Sequence, residues 1–482
     1  MGLAARRSEE SVIDRTRQEF DGRDVLVVGL GRSGLAASRH LLAAGSRVTA
    51  TDLRALDRLG REVEALRDAG ARLVLGSHPE AEFIAADAIV ISPGVPPTLP
   101  PLVVARERGI PILSEIDLAA EAVGERVVTI TGSNGKSTVT SLVATMVAGG
   151  GRDAVACGNF GSPLVEATRD DRPGRLYAVE LSSFQLETTT RLRAAAAILL
   201  NVQPDHLDRH GSFAAYRDAK WRIAALRRPG APLVLAIDDP EVAPLAAHAA
   251  EPILSVSLED EVASGGFVSG NTLMLRVGSR TETLAEASEL PLAGRHNRIN
   301  VLAAAVAARA LGAALGAIQG GLSRFAPLPH RLQEVARVGG IRFVDDSKAT
   351  NVAAAACAIR ALAEPNEGGG RLVVLLGGRD KDSDFAPLSV ALREARAVAM
   401  TFGEAGPAIG RVLAARGDEE ELVIGQFPSL EEATRAAFGM ARPGDAILLS
   451  PACASFDAYD GFAARGDSFA AVACSLAEED VR

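Results

Sequence analysis

The sequence predicts an α/β protein of three domains, and three observations carry that expectation. Short Val/Ile/Leu-rich runs alternate with Ala/Leu/Arg-rich helical segments, the pattern of parallel sheets covered by helices. Two of these runs open through glycine-rich turns directly into helices, DVLVVGLGRSGLAASRHLLAAG and VVTITGSNGKSTVTSLVATMV. The chain has 482 residues, and roughly 100–200 residues per domain gives about three domains.

The strand-like runs are, in order, DVLVVGL, RVTATD, AIVISPG, RVVTITG, YAVELSS, AAILLNV, PLVLAID, IRFVDD, RLVVLLGG, AVAMTFG and DAILLSP. Many end in Gly, Ser, Asp or Asn, and ligands of open α/β sheets sit at the carboxyl ends of strands. FVSGNTLMLRV, near residue 270, reads as an antiparallel excursion. One boundary is expected near Glu115–Glu125 and another near Pro327–Pro329. The expected map is a loose extension over 1–20 and domains over 21–118, 119–326 and 327–482.

Composition narrows the function classes. Apolar residues make up 48% and charged residues 23%, the balance of a folded globular protein. A net charge of −10 argues against binding nucleic acid or an anionic membrane. The four cysteines (Cys157, Cys357, Cys453 and Cys474) form no C-x-x-C pair, so neither a zinc site nor a disulfide framework is indicated. The first twenty residues lack the apolar stretch of a signal peptide, and VLAAAVAARALGAALGAI is broken by Arg309. The expectation is a cytoplasmic protein without membrane insertion.

The strongest local signal is the turn Gly132-Ser133-Asn134-Gly135-Lys136-Ser137-Thr138 between a β-branched strand and a helix. Its glycines let successive N–H groups face phosphate oxygens, and the helix start adds partial positive charge. Lys136 can reach β/γ-phosphates, and Ser137 or Thr138 can ligate Mg²⁺. The loop is tighter than G-x-x-x-x-G-K-[ST], because Ile130 stands where that pattern has glycine. This is the centre of a P-loop ATPase-like domain.

Such a site needs groups around Mg²⁺. Glu180 ends the strand of YAVELSSFQLE, the usual place of a second magnesium ligand. One strand along, His206 sits among Asp205, Asp208 and His210. Alone, each reads as a solvated polar loop; together, beside the phosphate loop, they read as a metal and transfer constellation. Lys220, next to Trp221, lies on the helix leaving that loop and by itself reads as a surface lysine.

Gly29, Gly31 and Gly34 give a G-x-G-x-x-G turn, and Asp52 closes the next strand. That fingerprint fits a Rossmann-like domain holding either a nicotinamide dinucleotide or a uridine diphosphate. An oxidoreductase and a nucleotide-gated binding protein without catalysis are both readings open at this point. In the last domain, expected to be Rossmann-like α/β, strand-end loops carry Asp346, Ser347, Lys348 and Thr350, then Lys381, then Ser455 and Phe462. Such loops form an anion pocket suited to an amino acid with carboxylates.

The ordered set TGSNGKST, GNFG, ELSSFQLE, PDHLDRH, the Lys220 helix, LAGRHNRINVLAA, PHR, DDSKATN and SPACASFD resembles the Mur ligase family over roughly residues 22–475. The resemblance implies an ATP-dependent amide ligase of cytoplasmic peptidoglycan precursor synthesis, acting on UDP-N-acetylmuramoyl-L-alanine, D-glutamate and ATP, and a monomer. Gly31, Arg32, Ser33 and Asp52 would hold the uridine end, with Ser92 and Gly94 near the diphosphate and Asn159, Ser182 and Gln185 on the muramoyl side. Gly132, Asn134, Gly135, Lys136, Ser137 and Thr138 would hold ATP phosphates, Asn297 and Asn300 the adenine side, and Arg331 and Asp346 the phosphates and ribose. Two Mg²⁺ would be bound by Ser137, Glu180, His206 and a carbamylated Lys220. Lys348, Thr350, Ser455 and Phe462, with Lys381 nearby, would position D-glutamate. Arg32 and Leu53 depart from the residue types more usual in the uracil site, and GGRDKD from the commoner GGDGK.

Overall fold

The computed structural model describes residues 11–292, 294–363, 370–380, 383–414 and 422–480. Three sheets organise the chain. The first comprises β1 (Asp24–Val28), β2 (Arg47–Asp52), β3 (Arg72–Leu75), β4 (Ala88–Ile91) and β5 (Ile112–Ser114), in the order β3-β2-β1-β4-β5, all parallel.

The second has nine strands: β6 (Val127–Thr131), β7 (Ala154–Gly158), β8 (Leu176–Glu180), β9 (Ala196–Leu199), β10 (Leu233–Ala236), β11 (Ile253–Ser257), β12 (Gly265–Ser269), β13 (Thr272–Val277) and β14 (Arg280–Glu286). Their order is β14-β13-β12-β11-β10-β9-β6-β8-β7. It is parallel up to β12, and β12, β13 and β14 form the antiparallel excursion expected near residue 270. Helices cover both faces of a parallel sheet, so its central strands are largely apolar and buried along their whole length; every residue of β6, β8, β9 and β10 is buried.

The third sheet holds β15 (Gln333–Val338), β16 (Ile341–Asp345), β17 (Leu372–Gly377), β18 (Val398–Phe402), β19 (Val423–Phe427) and β20 (Ala446–Ala452), in the order β15-β16-β20-β17-β18-β19. It is parallel except for β15. The first two sheets lie in one compact unit, Met1–Glu289 with Ile299–Phe325, and the third in another, Leu290–Arg298 with Ala326–Arg482. No helix among the described residues is long and apolar enough to cross a membrane.

The extension expected to be loose over 1–20 is corrected in its second half. Val12–Phe20 is a helix, with the Ser11 side chain accepting from the Asp14 amide. Val12, Thr16 and Phe20, spaced by four, form a buried stripe that the surrounding charges hide in the sequence. The Thr16 hydroxyl meets His40 Nε2 at 2.7 Å, and Glu19 pairs with Arg191 at 2.8 Å.

Candidate active site

β6 delivers the chain to the phosphate loop, and Gly135 turns it into the helix Lys136–Ala148 with φ at +82°. A Cβ on Gly135 would come within 2.4 Å of Asn300 Oδ1, so glycine is required there for space as well as for backbone angle. Asn300 is thereby placed against the loop, and Ser137 and Thr138 are buried in the first helical turn. Lys136 Nζ donates to the Gly132 and Ser133 carbonyls, both at 2.9 Å.

The loop is braced by residues that the sequence reading missed. The Asn134 amide donates to Asn201 Oδ1 at 2.8 Å, and Ser133 Oγ contacts Tyr216 Oη at 2.8 Å and donates to the Gln203 carbonyl at 3.0 Å. Asn201 and Gln203 end the run after β9, and that polar strand end beside the phosphate loop was the available signal.

Lys220 is 1% exposed, and its Nζ donates to the Gly132 carbonyl at 2.7 Å. The expected reading from local sequence, a surface lysine, is overturned: the helix Phe213–Trp221 turns this residue inward. Burial, and then the Lys136 ammonium, pull its pKa well below the ordinary lysine value, while Asp205 and Glu180 oppose them. Lys136, Lys220, Glu180 and Asp205 therefore interact around one point, the carboxyl end of β6.

Glu180, at the end of β8, is 2% exposed. Its Oε1 accepts from Asn159 Nδ2 at 2.7 Å, whereas Oε2 is buried with no hydrogen-bond partner among the described residues. An unpartnered buried carboxylate oxygen is costly, and a hard divalent cation fits that vacancy in its bonding. His206 has φ +54° and lies 3.7 Å from Asp205, its ring 4.9 Å from that of Phe184. No three His, Cys, Asp or Glu side chains among the described residues are grouped to hold a metal.

A cavity of about 480 Å³ opens beside this centre. It is lined by Gly31, Arg32, Ser33, Asp52, Ser92, Gly94, Asn159 and Gln185, so of the expected substrate residues it gathers all but Ser182. Ser182 instead caps the helix Ser183–Thr188, reciprocally with Gln185. The helix Arg32–Ala43 approaches β1 closely at Gly34, where a Cβ would lie 1.9 Å from the Gly29 carbonyl. Asp52 is pushed up by burial but pulled down further by Arg54 and by the Leu30 and Arg54 amides, to about 2.

In the other unit, Asp346 follows β16. Its Oδ2 accepts from Ser450 Oγ at 2.8 Å and its Oδ1 from the Leu332 amide at 3.3 Å. Burial raises Asp346 to about 7, against Ser450 and Arg331. Lys348 Nζ stands 3.9 Å from the Phe462 ring centroid, the Thr350 amide donates to the Lys348 carbonyl at 2.8 Å, and Ser455 is buried after β20. Asn297 is buried in the helix Arg295–Ala310. Lys381 lies outside the described residues. Here too the sequence reading missed the supports: His330 Nδ1 meets Asp345 Oδ2 at 2.6 Å, and the fully buried Arg465 donates to Ser347 and to the Cys453 and Ala454 carbonyls. PHR and DDSKATN hold His330 and Asp345, so a signal existed for that pair.

Three family models match the chain: Mur ligase MurD-like, N-terminal domain, over 23–114; Mur ligase middle domain over 130–308; and Mur ligase, glutamate ligase domain, over 330–453. A relative from Pelotomaculum thermopropionicum, named UDP-N-acetylmuramoylalanine--D-glutamate ligase, is 38% identical across 95% of this chain and 99% of its own. The chain belongs to the Mur ligase family. A protein of the same name from Acidobacterium capsulatum is 40% identical over 94% of this chain and 96% of its own.

Solved Mur ligases share the fold. MurF of Acinetobacter baumannii superposes with a TM-score of 0.59 at 17% identity, covering 96% of this chain and 92% of its own. MurF of Thermotoga maritima, solved in complex with ADP, gives 0.58 at 17% identity over 98% and 99%. Three Mur ligase domains thus correspond to the three sheets, and the glycine-rich turn at Gly29–Gly34 belongs to a ligase, not an oxidoreductase.

Proposed function

We propose that this Mur ligase uses ATP to join D-glutamate to UDP-N-acetylmuramoyl-L-alanine through an acyl phosphate and a tetrahedral intermediate, in the cytoplasm and as a monomer. The observation that carries this reading is the meeting of Lys136, Lys220 and Glu180 at the end of β6, beside a cavity reaching from Gly31 to Asn159. Near-full-length similarity to D-glutamate ligases supports the substrates.

A carboxylate is a poor electrophile, and transfer of the γ-phosphoryl group makes phosphate its leaving group. The residues at hand must hold two anions in line. The loop amides from Gly132 to Thr138 and the Lys136 ammonium cradle ATP phosphates and offset the charge spreading over the transferred group. Asn297 and Asn300 take the adenine side, and Arg331 and Asp346 the phosphates and ribose. Gly31, Arg32, Ser33, Asp52, Ser92, Gly94, Asn159, Ser182 and Gln185 hold the uridine-linked substrate. Lys348, Thr350, Ser455, Phe462 and Lys381 hold D-glutamate, whose amine attacks the acyl phosphate. Ser137, Glu180, His206 and a carbamylated Lys220 would hold two Mg²⁺, which supply charge neutralisation at the phosphates. The orphaned Glu180 Oε2 supports that assignment, and a depressed amine at Lys220 suits carbamate formation. The domain limits that go with this division of labour are residues 21–118, 119–326 and 327–482.

Phosphate release measured with UDP-N-acetylmuramoyl-L-alanine against D- and L-amino acids tests the reading. The expected result is turnover with D-glutamate alone. Equal turnover with L-glutamate, or none with either, would overturn it.

A further inference from the structure

Arg32 is the first residue of the helix Arg32–Ala43, and its side chain lines the 480 Å³ cavity. The other charged residues of that wall, Asp52 and Arg54, satisfy each other through two bonds of 3.0 and 2.9 Å. Burial lowers the pKa of His78, also on the wall, against the opposing pull of Asp52. Arg32 is therefore the wall's cation with no carboxylate partner among the described residues.

Its guanidinium instead reaches to the turn after β7, where Nη2 donates to the Gly161 carbonyl. That contact uses one of five N–H donors. The turn is closed by the Gly158 amide donating to the Ser162 carbonyl at 2.8 Å. Within it Asn159 grips Glu180 twice, its amide on the main-chain carbonyl at 2.9 Å and its Nδ2 on Oε1 at 2.7 Å. Arg32 on one wall is thus linked through three residues to the carboxylate that keeps an unpartnered buried oxygen.

We propose that Arg32 is a two-sided positioning residue, holding Gly161 with one edge of its guanidinium and taking an oxygen of the substrate's diphosphate with another. Filling the cavity then fixes the Asn159 turn and, behind it, Glu180. A guanidinium presents paired donors in a rigid fork suited to phosphate, which an ammonium cannot match. The inference rests on reading the cavity as a nucleoside-diphosphate site.

The test uses the full-length enzyme with Arg32→Leu and Arg32→Lys. Phosphate release is followed at two ionic strengths, and UDP alone is titrated by calorimetry. Arg32→Leu is expected to raise KM for the uridine substrate about tenfold, the loss of one charge-assisted bond. It should also flatten the salt dependence of that KM, lower kcat and leave KM for ATP unchanged. Arg32→Lys, which keeps the charge but not the fork, should restore the salt dependence while kcat stays low. An uridine-substrate KM within twofold of wild type in Arg32→Leu, with unaltered salt dependence, overturns the diphosphate contact. A raised KM with wild-type kcat in both variants overturns the link to Glu180. Wild-type enzyme that fails to bind UDP overturns the cavity reading itself, and this shows before any variant is made.

Discussion

Lys136 and Lys220 share one acceptor: both ammonium nitrogens donate to the Gly132 carbonyl, at 2.9 and 2.7 Å. The two residues lie on different helices, yet they focus positive charge on the same strand end. One of them is exposed enough to follow a phosphate; the other is sealed in. Their repulsion explains part of the depressed Lys220 pKa, after burial.

A depressed amine gives up its proton more readily than an ordinary lysine, and the neutral form can add carbon dioxide. Lys220→Ala is expected to lose about 10²–10³-fold in turnover, the scale of a deleted charge-stabilising group. Acetate or bicarbonate should return part of it by placing a carboxylate where the carbamate stood. Turnover against additive concentration, with ¹³C NMR of wild type in labelled bicarbonate, checks both halves. A fully active variant without additive would remove the carbamate.

Glu180→Gln keeps an oxygen for Asn159 but removes the charge behind the unpartnered Oε2. The Mg²⁺ concentration for half-maximal phosphate release should rise at least about tenfold, as for a lost charged ligand contact. Without magnesium the variant should melt no lower than wild type, because a buried unsatisfied charge has been removed. An unchanged magnesium requirement would take Glu180 out of the metal site.

What the sequence made legible follows from what was local in it. The eleven apolar runs all fall on strands, because buried parallel strands are apolar on both faces. Short or edge strands such as Arg72–Leu75 and Val423–Phe427 escaped, since they have few fully buried positions. Gly132 to Thr138 were readable because strand, loop and helix are contiguous. Lys220 bonds to a carbonyl 88 residues away and Arg465 to a serine 118 residues away. Only the folded chain creates those partners, so local pattern made Lys220 a surface residue and left Arg465 unnoticed.

Glu115, at the start of the helix Glu115–Val123, is buried, and its Oε1 accepts from the Val165 amide at 3.3 Å. Burial raises it to about 7, with the Val165 and Leu164 amides opposing and Asp117 and Glu166 adding to the rise. The folded state therefore holds this proton more tightly than the unfolded chain. Its contribution is fully present below about pH 4.5 and lost as pH rises through about 7. The gap in melting temperature between Glu115→Gln and wild type should widen in favour of the variant from pH 5 to pH 8. A constant gap across that range would mean that Glu115 stays ionised throughout.

His40 titrates the opposite way and sits under the helix Val12–Phe20. Burial first, then Arg169, lowers its pKa to about 4, and Nε2 meets the Thr16 hydroxyl at 2.7 Å. A depressed folded pKa means the contribution is present above about 6.5 and lost as pH falls toward 4. The loss lands on this helix because Thr16 is one of its buried contacts. Amide exchange in residues 12–20, corrected for intrinsic rate, should therefore accelerate between pH 6.5 and pH 4.5 more than in β6, whose neighbours include no such histidine contact. In His40→Gln that acid sensitivity should vanish, since glutamine can face Thr16 without titrating. Equal acid acceleration in the variant would overturn the role of His40 in holding this helix.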